Sequence, residues 1–155
     1  MTGVRLEVLG PGDWRGWRDL RLEGLADTPI GFGELYTDAL LLTDAQWQER
    51  SARPGFRVLA YDEDLPLGMA GGFVKDEVPV LYGVYVRPAA RGQGVLEALV
   101  EAVAGWAAPA RLTLDVHEHN ARARGAYAKL GFEETGERTV GGGIDGRDLL
   151  GMRQP

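Results

Sequence analysis

The sequence predicts an α/β fold: a mixed, mostly antiparallel central sheet flanked by helices, in the order β-α-α-β-β-β-α-β-α-β-β. Three observations predict it. Short runs that alternate apolar and polar residues are interspersed with runs of helical periodicity. Three successive strand-like runs, 56–61, 67–74 and 78–86, are joined by short polar connections, as antiparallel hairpins are. The third run leads through Pro88 and a Gly-x-Gly loop into an apolar helix, which is a β-to-α unit. A chain of 155 residues suits one domain, 1–155, with a real core.

Taken in order, Val4, Leu6 and Val8 alternate with Arg5 and Glu7 and form a first strand over about 4–9. Pro11-Gly12-Asp13 ends it, and Asp13 is placed to N-cap a helix from Trp14 to about Ala26, with Trp14, Trp17, Leu22 and Leu25 as its apolar residues. The breaker-rich stretch Thr28-Pro29-Ile30-Gly31-Phe32-Gly33 is a loop. Thr43-Asp44-Ala45-Gln46 is a capping box that opens a second helix carrying Trp47 and ending before Pro54-Gly55. Pro79, near the start of the third hairpin strand, predicts a bulge or a sheet edge there. A helix over about 94–107 stops before Pro109. Arg111–Val116 is a strand, and Asn120 caps a helix whose buried face is Ala123, Ala126, Tyr127 and Leu130. Gly131 stands at its C′ position. Phe132–Arg138 and Arg147–Met152 form a last strand pair around Gly141-Gly142-Gly143.

Bulk properties narrow the function. A formal net charge of -6 argues against general nucleic-acid binding and favours attraction of a cationic amine. No apolar run approaches the ~20 residues of a membrane span, and Met1-Thr2-Gly3-Val4-Arg5 lacks a signal-peptide core. The absence of cysteine excludes disulfide and thiolate chemistry, and two histidines make a metal cage an unfavourable reading. These features fit a cytoplasmic protein with no membrane partner.

The chemistry is concentrated in Val84-Tyr85-Val86-Arg87-Pro88-Ala89-Ala90-Arg91-Gly92-Gln93-Gly94-Val95-Leu96. The loop's N–H groups fall at a helix N-terminus, unpaired and backed by the positive end of the dipole, which suits phosphate. A Walker loop requires Lys-Ser/Thr after its last glycine, where Val95-Leu96 stand. A dinucleotide fingerprint requires a third glycine or alanine, where Glu97 stands, although Asp115 falls roughly at the distance of that motif's ribose-binding acid. The run from Val86 to Gly94 instead resembles the pyrophosphate loop of the GNAT superfamily of N-acetyltransferases. Asn120-Ala121-Arg122-Ala123-Arg124-Gly125-Ala126-Tyr127-Ala128-Lys129-Leu130-Gly131-Phe132 is similar to that family's Asn-x-x-Ala-x-x-x-Tyr-x-x-x-Gly-Phe helix, and Pro29-Ile30-Gly31-Phe32-Gly33 to a Pro-x-Ala-Phe-Gly segment near the acceptor site. Ala89, Leu96 and Gly31 depart from the usual residues.

The resemblance covers nearly the whole chain, and its implications are specific. It implies acetyl transfer from acetyl-coenzyme A, without a metal, to a primary amine of a small molecule or peptide, both substrates being bound together. Val84, Tyr85 and Val86 would pair with the pantetheine arm, the Val86 N–H acting on the thioester oxygen. Arg91, Gly92, Gln93, Gly94, Val95 and Leu96 would hold the pyrophosphate. Arg91, Arg87, Arg122 or Arg124 would add positive charge, and Asn120 would touch the pantetheine. Tyr127 would give a proton to the thiolate, against the alternative of a plain core tyrosine. Glu34 is the first candidate for a base, with Tyr85 on the acceptor side and His117, His119, Glu118 and Asp115 as weaker candidates. The alternatives are a non-catalytic acyl-coenzyme A sensor on the same fold and, more distantly, a nucleotide-binding module. A sheet edge is available for pairing two copies into a homodimer.

Overall fold

A computed structural model describes residues 3–155; Met1 and Thr2, the first residues of the N-terminal stretch read above, lie outside them. The elements are β1 (Arg5–Val8), α1 (Trp14–Asp27), α2 (Tyr36–Ala39), α3 (Asp44–Ala52), β2 (Phe56–Asp62), β3 (Leu65–Lys75), β4 (Val78–Val86), α4 (Val95–Ala107), β5 (Thr113–His117), α5 (Ala121–Lys129), β6 (Glu133–Thr139) and β7 (Leu149–Arg153), with single 3-10 turns at Pro29–Gly31 and Pro88–Ala90. The predicted order holds, with the one-turn α2 added. The strands form one seven-stranded sheet, β1-β2-β3-β4-β5-β7-β6, in which β4 and β5 alone are parallel.

Two apolar clusters sandwich this sheet. On one face Leu67, Leu81, Leu99, Val103, Leu112 and Tyr127 join the sheet to α4 and α5. On the other Trp14, Trp17, Leu25, Trp47, Leu59 and Met69 join it to α1 and α3. Burial of such large side chains contributes about 1.5–3 kcal/mol each. Adjacent glycines on β3 let aromatic rings lie close on both faces: a Cβ on Gly71 would stand 2.6 Å from Tyr82, and one on Gly72 would stand 2.6 Å from Trp106.

Local signals are honoured unevenly. The Thr43/Gln46 capping box forms with both reciprocal bonds. Asn120 accepts from the Ala123 N–H at 3.2 Å. The far end of α5 closes as a Schellman turn, with Phe132 N–H on the Tyr127 carbonyl and Gly131 N–H on that of Ala128. Asp13, by contrast, does not cap α1, because its carboxylate accepts the Gly10 N–H at 2.8 Å and is spent on the preceding turn. Leu20, not Leu22, is the buried leucine in the middle of α1. Pro79 marks neither an edge nor a bulge. It lies one residue before the single β4–β5 pairing, Val80 with Thr113, where its missing N–H costs no ladder bond to β5. The irregularity falls further along, between Met69 and Gly71 on β3, opposite Gly83 with its φ of +62°.

Candidate active site

β4 and β5 pair only at Val80 and Thr113 and then part. The gap opens a cavity of about 880 Å³. Its walls include Val86, Val116 and Tyr127 from the α4/α5 cluster and Phe32 and Tyr85 from the α1/α3 cluster, so it passes through the sheet. The α5 face read as buried is in fact half-open: Ala123, Ala126 and Leu130 are wall residues of the cavity, and only Tyr127 on that face is buried.

The end of β4 points a free donor into this gap. Arg87 N–H bonds the Leu67 carbonyl at 2.8 Å. Antiparallel alternation then makes the adjacent Val86–Gly68 pair a non-bonded one, with the Val86 N–H turned away from β3 toward the β5 side. There the Val86 carbonyl receives Arg91 Nε–H at 3.0 Å. Beyond Arg91, Gly94 N-caps α4 in the left-handed region, φ +85°, with no side-chain cap. Among the described residues, the N–H groups of Gly92, Gln93 and Gly94 meet no acceptor. A Cβ on Gly92 or Gly94 would touch nothing within 4 Å, so the cradle is open to a ligand. Unpaired N–H groups at the positive end of a 13-residue helix fit a pyrophosphate.

The residues singled out by sequence divide into two sets. Val84, Tyr85, Val86, Arg91, Gly92, Gly94, Leu96, Asn120 and Tyr127 line the cavity, whereas Gln93, Val95, Arg124 and Glu34 do not. Gln93 turns its amide back onto the Ala89 carbonyl. Val95 is 1% exposed and belongs to the core; its N–H remains part of the cradle. Arg124 is bound to Glu134 and the Glu118 carbonyl, and Arg87 is bound to Glu23 at 2.8 and 2.9 Å. Arg91 donates to Asp27 at 2.7 Å as well as to Val86, and Arg122 donates to Thr28 at 2.9 Å across the cavity. These arginines fasten the site's walls together more than they present free charge.

Tyr127 makes no side-chain hydrogen bond among the described residues. No fully buried side-chain oxygen there lacks a partner, so its hydroxyl must reach the cavity space. Burial pushes that hydroxyl well above the ordinary phenol value. Tyr85 is different, because its hydroxyl donates to Glu23 at 2.9 Å. Burial and that bond hold it protonated too. Asn120 spends its side-chain oxygen on the α5 cap and keeps its amide group beside Gly31 on the cavity wall.

Glu34 sits between two guanidinium groups, accepting from Arg21 at 2.9 Å and from Arg50 at 3.0 and 2.7 Å. Burial raises its pKa, but the bonds from Arg50 and Arg21 outweigh burial and leave it below the usual carboxylate range. A carboxylate so held is a poor proton acceptor. His117 is 2% exposed, with Nε2 2.8 Å from Asp145 and Nδ1 accepting the His119 N–H. With both nitrogens engaged, it anchors the β6–β7 loop whose Gly142, Gly143 and Ile144 close one side of the cavity. The sequence reading missed Arg21, a wall residue stacked on Phe32 at 5.3 Å. Its signal was present as the central arginine of a helix with an imperfect apolar face.

Comparison with known proteins agrees with this geometry. Residues 17–132 match the acetyltransferase (GNAT) family. A stretch of 65 residues is 38% identical to the 5-NmdU N-acetyltransferase of Pseudomonas phage PaMx11, covering 42% of this chain and 46% of that protein. Among solved structures, a GNAT-family acetyltransferase from Streptococcus pneumoniae superposes with a TM-score of 0.74 at 20% identity, over 98% of both chains. A GCN5-related N-acetyltransferase from Kribbella flavida gives 0.74 at 22% identity, over 98% of this chain and 97% of that one. The family match starts in α1 and runs past the split strands, the N–H cradle and Tyr127 to Phe132, and the chain belongs to the GNAT family of acetyltransferases.

Proposed function

We propose that this protein is an N-acetyltransferase, a single domain over 1–155 that moves the acetyl group of acetyl-coenzyme A directly to a primary amine. The observation that carries the reading is the through-sheet cavity, which has an open N–H cradle at one end and along its wall the Tyr127 hydroxyl, which has no partner among the described residues. When bound, acetyl-coenzyme A supplies a thioester whose carbonyl carbon bonds the amine nitrogen as the C–S bond breaks.

The chain's own groups serve that exchange in four ways. The N–H groups of residues 92–96 hold the pyrophosphate. Val86 N–H donates to the carbonyl oxygen as negative charge grows there. Tyr127, kept protonated by burial, donates its proton to the departing sulfur. The amine gives up its own proton to water in the open cavity. Because the thioester is already reactive, holding the two reactants together supplies much of the acceleration. Glu34 then serves as a structural anchor in place of the base role that its position in sequence suggested.

A second reading, a sensor that binds acyl-coenzyme A without turnover, draws on the engaged state of Glu34. One experiment separates the two. Thermal-shift titration with acetyl-coenzyme A, against NAD and ATP as controls, should raise apparent stability by about 2.7 kcal/mol at a hundredfold excess over Kd. Thiol release is then followed on adding amines, 5-NmdU among them. A shift without amine-dependent release supports the sensor, and no shift at millimolar ligand overturns both.

A further inference from the structure

The acceptor half of the cavity has a composition that selects a class of amine. β5 directs Leu114 and Val116 into the α4/α5 cluster, so strand alternation sends Asp115 to the opposite face, the side on which α1 lies. Val80 pairs with Thr113, so Tyr82 and Asp115 are the next residues along the two strands on that face, across the opening gap. Both line the cavity. Asp115 is exposed and makes no ion pair or side-chain hydrogen bond among the described residues. Among the described residues it is the acid that this face contributes to the cavity wall, while Glu23 is bound to Arg87 and Tyr85, and Glu34 to Arg21 and Arg50. Glu97, the other acid on the wall, belongs to α4 and the opposite face.

The same cavity wall carries Arg21, which keeps donors to spare although Glu34 holds its Nε–H. Arg21 gives Glu34 only its Nε–H, and its two Nη groups meet no acceptor among the described residues. The same wall carries flat apolar surfaces. Phe73 packs edge-on to Tyr82 with ring centres 5.3 Å apart, and Phe32 lies under the Arg21 guanidinium. The acidic turns at Asp62-Glu63-Asp64 and Asp76-Glu77 are not part of the cavity wall, so they offer a polycation nothing there.

Resting on the acetyl-transfer reading above, we infer that the acceptor is a primary amine borne on a flat ring that also carries a negatively polarised oxygen. Asp115 receives the ammonium end, Phe73 and Tyr82 receive the ring, and the Arg21 Nη groups receive the oxygen. A wall that sets the Asp115 carboxylate, the two unbonded Arg21 Nη groups and aromatic rings in one cavity disfavours a polyamine, whose remaining ammonium groups would meet the positive charge of Arg21.

Four probes test it by thiol release from acetyl-coenzyme A: 4-(aminomethyl)benzoate, benzylamine, 6-aminohexanoate and spermidine. The first should exceed each of the others in kcat/KM by about tenfold or more, the value of one well-made polar contact at about 1.4 kcal/mol. In Arg21→Gln the advantage of 4-(aminomethyl)benzoate over benzylamine should fall close to one. In Asp115→Asn the KM of every amine should rise about tenfold, with acetyl-coenzyme A still giving its thermal shift. Equal or better turnover of spermidine or 6-aminohexanoate overturns the inference. So does an unchanged ratio in an Arg21→Gln protein that still binds acetyl-coenzyme A. Turnover of none of the four by a protein that acetyl-coenzyme A stabilises overturns it too. Should Arg21→Gln not fold, the ranking by the wild-type protein decides. A wild-type protein that acetyl-coenzyme A fails to stabilise refutes instead the acetyl-transfer reading beneath it.

Discussion

Replacing Tyr127 with phenylalanine removes one oxygen from a wall where it bonds to no group among the described residues. No intramolecular hydrogen bond is lost, and the ring keeps its packing 5.7 Å from Phe132. Stability at neutral pH should therefore change by less than about 1 kcal/mol, below the usual cost of a deleted hydrogen bond. Catalysis should respond differently. A positioned general acid is worth about 10²–10⁴ in rate, so kcat for amine-dependent thiol release should fall by that factor, with little change in the Kd for acetyl-coenzyme A. The alkaline range gives a second readout. Burial raises the Tyr127 hydroxyl above its unfolded value of about 10. Its contribution to stability is thus fully present below pH 10 and is lost as pH rises toward the folded value, at about 1.4 kcal/mol per pH unit. Tyr85 adds a similar loss, because burial and Glu23 hold it protonated as well. Melting curves from pH 9 to 11 should show a shallower decline in Tyr127→Phe than in wild type. An unchanged kcat in Tyr127→Phe at all alkaline pH values would remove the acid role and leave a plain core tyrosine.

Gly92→Glu places bulk and negative charge in the cradle and forces a side chain into a φ of +75°, so calorimetric titration should show acetyl-coenzyme A binding lost and melting should show a cost of about 1–2 kcal/mol. Glu34→Gln breaks the bridge between Arg21 and Arg50 and should cost about 1–3 kcal/mol in urea unfolding; a large kcat loss without that stability loss would restore Glu34 as the base. Because the folded pKa of Glu34 is depressed, its stabilisation is present above the unfolded value of about 4.3 and lost as pH falls below it, so Glu34→Gln should flatten the acid limb of stability. Asn120→Ala removes the α5 cap and should cost about 1 kcal/mol by melting.

What was legible in the sequence was mostly local. The Thr43/Gln46 box, the Asn120 cap and the Gly131 terminus each join residues a few positions apart, and they formed as read. The family resemblance placed the N–H cradle for a similar reason, since a Gly-x-Gly turn ahead of a helix is specified by its own backbone. The side-chain assignments fared worse where the deciding partner is distant. Arg87 and Arg91 read as phosphate charges, yet Glu23 and Asp27, each 64 residues away, hold them. Glu34 read as free because Arg50 lies 16 residues on. Even a local signal failed when a nearer donor competed for it, as the Gly10 N–H did for Asp13. Periodicity alone cannot distinguish a helix face turned to a core from one turned to a cavity, and so the α5 face reads as buried although it lines the cavity.

The distant ion pairs explain why the site holds its shape although the sheet is split beneath it. Past the Val80–Thr113 pairing, β4 has no neighbour on the β5 side to hold it. The C-terminal half of α1 replaces that neighbour. Glu23 ties Tyr85 and Arg87, on either side of Val86, back to α1. Asp27 ties Arg91, which in turn ties the Val86 carbonyl. The hydrogen bonds donated by Arg87 and Arg91, aided by their charge, also hold the Glu23 and Asp27 carboxyls below their ordinary pKa range. Each strap alone is a modest contribution, as part-exposed ion pairs are. Together they fix the residues around the Val86 N–H, which faces the gap, and they do so from the α1 side, leaving the β5 side clear. An edge without a β partner would ordinarily twist or collect another strand. Here it is strapped and unpaired at once, which is what a strand needs if the molecule that completes it is a ligand.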